Sequence, residues 1–114
     1  MKIECVLKSR GNVHYAKGIY DTENKSLTVL RGSKIALEIT FNAITSKALQ
    51  ARKDTNIVDS YGNVLTDVSF SSASTAAQFV TGRSSNGYIA WRPSDKMNLK
   101  EYLSKQERGI IRNE

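Results

Sequence analysis

The sequence predicts an α+β domain: an antiparallel sheet of five or six strands with two or three helices packed on it. Three observations point there. Apolar residues alternate with period two over Lys2–Leu7, Val13–Tyr20 and Ser26–Leu30, the pattern of half-buried strands. The connections between these segments are short and polar, which favours an antiparallel meander over parallel crossovers. Helical periodicity appears only after this run of strands. With 114 residues, 39% hydrophobic and 25% charged, the chain suits a single domain, residues 1–114, around one core.

In the first strand Ile3, Cys5 and Leu7 share a face, and Ser9-Arg10-Gly11-Asn12 is a turn cluster. In the second, Val13, Tyr15 and Ile19 line one face and His14, Ala16, Gly18 and Tyr20 the other. Asn24-Lys25 turns the chain into the third strand, where Leu27 and Val29 point one way. Leu37, Phe41, Ile44, Ala48 and Ala51 then follow helical spacing, and β-branched residues restrict the helix to Asn42–Lys53. Lys47, Arg52 and Lys53 are expected on its solvated face. Ile57-Val58 and Val64-Leu65 flank Ser60-Tyr61-Gly62-Asn63, a hairpin with Gly in its loop.

Ser72 is a good N-cap for a short helix whose stripe is Ala73, Ala76, Ala77 and Val80. So many alanines bring the helix backbone close to whatever it packs on. Gly82 suits the left-handed position past its end. Tyr88–Trp91 alternates and predicts a strand ended by Pro93, with Ile89 and Trp91 on one face and Tyr88 and Ala90 on the other. Asn98 and Glu101 form a capping box for a last helix over about residues 98–108.

Composition removes several function classes. Seventeen Lys and Arg against eleven Asp and Glu give +6, a moderate excess that makes an anionic partner worth testing. No stretch approaches the about 20 apolar residues of a membrane span. The N-terminus lacks the roughly 7–15-residue apolar core of a secretory signal. Together with the lone Cys5, which has no intramolecular disulfide partner, this predicts a cytoplasmic chain. Cys5 reads as a buried strand thiol, and the single His14 as a structural strand residue. Neither a zinc motif nor a glycine-rich phosphate loop is present, so no metal or cofactor is expected. Glu23-Asn24-Lys25 and Gly18-Ile19-Tyr20 spell fragments of nuclease motifs without their companions.

The run Phe70–Trp91, FSSASTAAQFVTGRSSNGYIAW, is more specific. It resembles the signature of a bacterial domain of unknown function, family 4357, through Phe70, Ser71, Ser72, Ser74, Ala76, Ala77, Phe79, Val80, Gly82, Arg83, Ser84, Asn86, Gly87 and Trp91. Ala73 stands where that family usually has Pro, and Tyr88 where Trp is usual. Val29-Leu30-Arg31-Gly32-Ser33 resembles the family's earlier marker, so the resemblance spans roughly residues 13–94. It implies an accessory module that helps position nucleic acid, since members often follow GIY-YIG-type nuclease domains or occur in restriction-modification settings.

The residues themselves offer two basic sites. Between Asp67 and Asp95 the sequence carries no acid but two arginines, Arg83 and Arg92. Arg83, Ser84 and Asn86 suit phosphate oxygens, and Tyr88 is a candidate base-stacking residue. Arg31, Ser33 and Lys34 form a second cluster, which Lys17 joins if the second and third strands pair. Each set has a plain structural alternative. Ser and Asn satisfy turn backbone, and Arg83 pairs with a carboxylate such as Asp67. Trp91 is expected in the core. The leading expectation is therefore a non-catalytic nucleic-acid-binding module with a separate nuclease or methyltransferase chain as its protein partner. The alternative is a module that docks on an enzyme through an apolar patch, from Tyr15, Tyr20, Tyr61 or Tyr102. A small metal-dependent nuclease built on Glu38, Asp59 and Asp67 ranks last.

Overall fold

The period-two segments at the start of the chain become three strands. In the computed structural model, which describes residues 1–9, 11, 13–40 and 43–109, these are β1 (Lys2–Lys8), β2 (Tyr15–Asp21) and β3 (Ser26–Val29). They pair antiparallel in chain order, with Lys2 opposite Asp21, Lys8 opposite Tyr15 and Gly18 opposite Val29. The β2–β3 turn is held by Asp21, whose carboxylate accepts from the Glu23 backbone N–H at 2.9 Å and the Asn24 amide at 3.0 Å. That carboxylate's pKa is lowered, mainly by these hydrogen bonds.

A fourth strand, β4 (Val68–Phe70), pairs with β3 and closes the order β1-β2-β3-β4. The helices are α1 (Ser46–Lys53), α2 (Ala73–Thr81), α3 (Gly87–Ala90) and α4 (Leu99–Glu107). Among the described residues none is long and apolar enough to cross a membrane.

The α+β class and the antiparallel sheet stand, with four strands among the described residues rather than five or six. Three expected strand segments, Tyr88–Trp91 and the two arms of the 57–65 hairpin, are absent for local reasons. Tyr88–Trp91 is the turn of helix α3 and its exit. The Asn86 side chain caps that turn by accepting from the Tyr88 backbone N–H at 3.1 Å. Ile89 and Trp91 consequently do not share a face: Ile89 is exposed and Trp91 is fully buried. Four alternating residues cannot distinguish a strand from one helical turn. At 57–65 the pairing shrinks to one bridge, Val58 to Val64. Asp59 dominates there, accepting from the backbone N–H groups of Tyr61 and Asn63 at 2.9 Å each. β4 has only three residues, too few for a pattern. The helix expected over 42–53 begins at Ser46, capped by Thr45, while Phe41 and Asn42 lie outside the described residues.

All inward residues of the sheet meet one core. Ile3, Cys5 and Leu7 from β1, Ala16 and Tyr20 from β2, and Leu27 and Val29 from β3 pack with Ala73, Ala76, Ala77, Phe79 and Val80 of α2. Burial pushes the Cys5 thiol up to about 12, so it stays protonated. Trp91 fastens the far side. Its indole N–H donates to the Ala73 carbonyl at 3.1 Å, and its ring lies where a Cβ on Gly18 would sit at 3.0 Å. Gly87 rests on the start of α2: its N–H donates to Ser74 Oγ at 2.9 Å, and a Cβ there would overlap the Ala73 backbone. Ser72 and Asn98 cap α2 and α4 as the sequence predicts, and Gly82 ends α2 with φ at +74°.

Two substitutions test this packing by chemical denaturation. Gly87→Ala should lower stability by about 1–3 kcal/mol or more, because backbone rather than a flexible side chain occupies the space. Asn86→Ala should cost about 1 kcal/mol, the usual loss of an N-cap. Unchanged unfolding midpoints in both would contradict the description.

Candidate nucleic-acid interface

The alternation that buries one face of the sheet exposes the other. Among the described residues no helix covers this outward face, and its side chains are exposed or half-buried. Strand register sorts them into rows. Lys8 on β1 lies opposite Tyr15 on β2, Tyr15 bridges to Lys34, and Lys34 bridges to Asn63. Tyr15 and Lys34 exchange backbone hydrogen bonds of 2.9 and 2.8 Å, so their side chains leave the same face. The next row holds Val6, Lys17 and Leu30, with the Leu30 N–H bonded to the Lys17 carbonyl at 2.9 Å. The acids Glu4 and Asp21 lie towards the opposite end, beside Ile19 and Lys2. The upper end of the face is thus basic, and a tyrosine that is 44% exposed stands between two lysines.

The residues singled out in the sequence divide between this face and the fold itself. Lys34 belongs to the outward row, and Lys17 joins it because β2 and β3 do pair. Ser33 is buried: its Oγ accepts from the Lys17 N–H at 3.0 Å and fixes the chain between β3 and Lys34. Arg31 is exposed after β3, where its backbone N–H donates to Asp67 Oδ1 at 2.8 Å. Asp67 is therefore engaged by Arg31, not by Arg83. Asn86 caps α3. Tyr88 is half-buried, with its hydroxyl 3.1 Å from that of Tyr20 and the rings edge to face at 5.9 Å. Burial and this contact raise the pKa of the Tyr20 hydroxyl. Arg92 pairs its backbone with Val6 along β1 and donates from its guanidinium to the Asp95 carbonyl at 3.1 Å. Ser84 is exposed beside Arg83.

Arg83 itself faces a cavity of about 710 Å³ at the β1–β2 hairpin end, walled by Leu7, Val13, Ile39 and Ala90 and lined also by Lys8, Glu38 and His14. His14 is only 6% exposed, and its Nδ1 has no hydrogen-bond partner among the described residues. Its pKa is lowered by burial first, then by the positive charges of Arg83 and Arg52. Arg52 departs from the solvated position expected of it. It is half-buried, donating from Nε to the Phe79 carbonyl at 2.9 Å and from Nη2 to that of Val80 at 3.3 Å. A cation is thereby set on the orphan carbonyls of the last turn of α2. Burial lowers the Arg52 pKa to about 10.

Sequence reasoning missed Lys8 and Tyr15 as one unit with Lys34. Residues 8, 15 and 34 are far apart in the chain, and only register brings them together. The available signal was the outward set of the second strand, in which Tyr15 and Lys17 alternate with buried residues.

Comparison with known proteins adds one finding. A family model described as a domain of unknown function (DUF4357) matches residues 7–103. No curated protein and no solved structure matches the chain.

Two outcomes follow from the charges around α2. Arg52→Ala should lower stability by about 1.5–3 kcal/mol, since it removes hydrogen bonds from a charged donor. His14 has a folded pKa below its ordinary 6.5, so the folded state binds fewer protons than the unfolded state. Its contribution is complete above that value and is lost as pH falls below it. Unfolding midpoints should therefore drop between pH 7 and 5, and His14→Gln should flatten that drop. An unchanged slope in the variant would contradict the assignment.

Proposed function

The chain belongs to this family of unknown function, and from its geometry we propose that it is a non-catalytic accessory module that binds single-stranded nucleic acid across the outward face of its sheet. The observation that carries the reading is the row Lys8, Tyr15, Lys34 with Lys17 beside it. Among the described residues none of these lysines has an ion-pair partner, so their charge is available to phosphates. An exposed aromatic ring between cations is what strand binding without base-specific contacts requires: lysines track the backbone while a base stacks on the ring. A single strand suits the site better than a duplex, because only an unpaired base can leave its neighbours to lie on Tyr15. Arg31, exposed after β3, extends the positive charge. In this reading Ser33, Asn86 and Tyr88 support the fold, and Arg83 serves the cavity at the hairpin end. The module works in the cytoplasm beside a separate nuclease or methyltransferase chain, the setting the family resemblance implies.

A second reading has an observation of its own. Leu37 is 62% exposed and lies against Gly62, next to Tyr61, which is 74% exposed. This apolar pair is a foothold for a protein partner, and it leaves the outward sheet face free.

Titration of fluorescent single-stranded oligonucleotides tests the first reading. Binding should be micromolar at low salt and weaken on adding salt, with a slope of about −0.7 for each phosphate neutralised. Tyr15→Ala should weaken binding by about 1–3 kcal/mol. Lys34→Gln should make the salt slope shallower by roughly one such unit. No binding at low salt, or a Tyr15→Ala variant that binds like the parent, would overturn it.

A further inference from the structure

We propose that the cavity at the β1–β2 hairpin end is a pocket for one unstacked nucleotide, its phosphate held by Arg83 and its base lodged between Leu7, Val13, Ile39 and Ala90. This rests on the nucleic-acid reading and deepens it.

Four observations support the pocket. Its size, about 710 Å³, falls within the range of small-molecule sites, roughly 300–1,000 Å³. Its walls join apolar side chains, Leu7, Val13, Ile39 and Ala90, to a larger number of polar ones. Arg83 is its guanidinium, without an ion-pair partner among the described residues, and a planar guanidinium matches phosphate oxygens in bidentate fashion.

His14 lines the same cavity, 6% exposed, with Nδ1 unpartnered among the described residues. Buried polar atoms that persist unpaired call for a functional explanation. Burial, and then the positive charges of Arg83 and Arg52, lower the imidazole pKa and so favour the uncharged ring, which still offers hydrogen-bonding capacity. Glu38 adds an acceptor that suits the exocyclic amine of a base such as cytosine.

The fourth observation is continuity. Lys8 lines the cavity and also begins the outward row with Tyr15 and Lys34. On the proposed path a strand stacked on Tyr15 passes Lys8 and continues into the cavity that Arg83 also lines. The ligand chemistry, an amino-bearing base with a phosphate, is shared by a nucleotide within or at the end of a strand and by a free mononucleotide.

Nuclear magnetic resonance of the His14 ring, the only imidazole of the chain, reads the pocket directly. Four probes are added to the full chain: deoxycytidine 5′-monophosphate, deoxycytidine, inorganic phosphate and an oligodeoxycytidine strand. The monophosphate and the oligonucleotide should both shift the ring signals. Deoxycytidine and inorganic phosphate should do so only at concentrations at least roughly tenfold higher. Arg83→Gln should weaken the monophosphate at least roughly tenfold, the loss expected when a charge-assisted hydrogen bond goes. Tyr15→Ala should leave the monophosphate unaffected and weaken only the oligonucleotide. Stronger binding of the oligonucleotide than of the monophosphate identifies a strand as the source, and the reverse identifies the free nucleotide.

If inorganic phosphate matches the monophosphate, the apolar walls are unused and the pocket proposal falls. Should the oligonucleotide bind through Tyr15 while the His14 signals stay still, the pocket falls and the sheet-face reading survives. If the oligonucleotide fails to bind at all, the sheet-face reading falls, and shifts from the monophosphate alone then keep only the pocket.

Discussion

Trp91 joins the sheet to the helices, and much of the structure depends on its seat. Its ring lies against Gly18 in the middle of β2, and its N–H reaches the Ala73 carbonyl at the start of α2. A large aromatic side chain buries more apolar area than any other residue can, yet its indole N–H needs a partner once inside. Both needs are met by small residues: a glycine where the ring presses on the strand, and an alanine at the start of α2 whose carbonyl accepts the indole N–H. The chain after Trp91 is fixed in turn, because its carbonyl accepts from the Leu99 N–H at 2.8 Å as α4 begins.

That seat gives the run Phe70–Trp91 a physical meaning. Ser72 caps α2, Ser74 holds Gly87, the alanines let α2 lie close, Gly82 turns left-handed against Glu38, and Asn86 caps α3. Read as sequence, Arg83, Ser84 and Asn86 in this run suit phosphate oxygens. In the fold the caps, glycines and alanines of the run satisfy backbone groups and close contacts. Arg83 is the exception, since its side chain lines the cavity at the hairpin end. The charge available to a ligand gathers instead where strand register places Lys8, Lys17 and Lys34 around Tyr15.

Features set by short-range chemistry were legible in the sequence. The three first strands, the inward set Ile3, Cys5 and Leu7, the caps Ser72 and Asn98, and the left-handed Gly82 each follow from a few neighbouring residues. Tyr88–Trp91 departs from the expected strand because one helical turn has no period to detect, and the decisive contact, Gly87 on Ala73, spans all of α2 and the loop after it. β4 was invisible because three residues carry no pattern of their own and gain strand geometry only from pairing with β3. The basic row was half visible. Lys17 and Lys34 were joined through the expected β2–β3 pairing, but Tyr15 and Lys8 needed the bridge at Lys34 and the β1–β2 register. Arg52 looked like a surface cation because helical spacing says nothing of the carbonyls of α2 that it meets.

The central claim is that the signature run builds the core while the outward sheet face meets the ligand. Backbone amide chemical shifts recorded during titration with a single-stranded oligonucleotide test it most directly, since every described region reports at once. The account predicts that the largest changes fall at Lys8, Tyr15, Lys17 and Lys34, with Asn86 and Tyr88 nearly still. Changes centred on Asn86 and Tyr88, with the outward row unmoved, would contradict it.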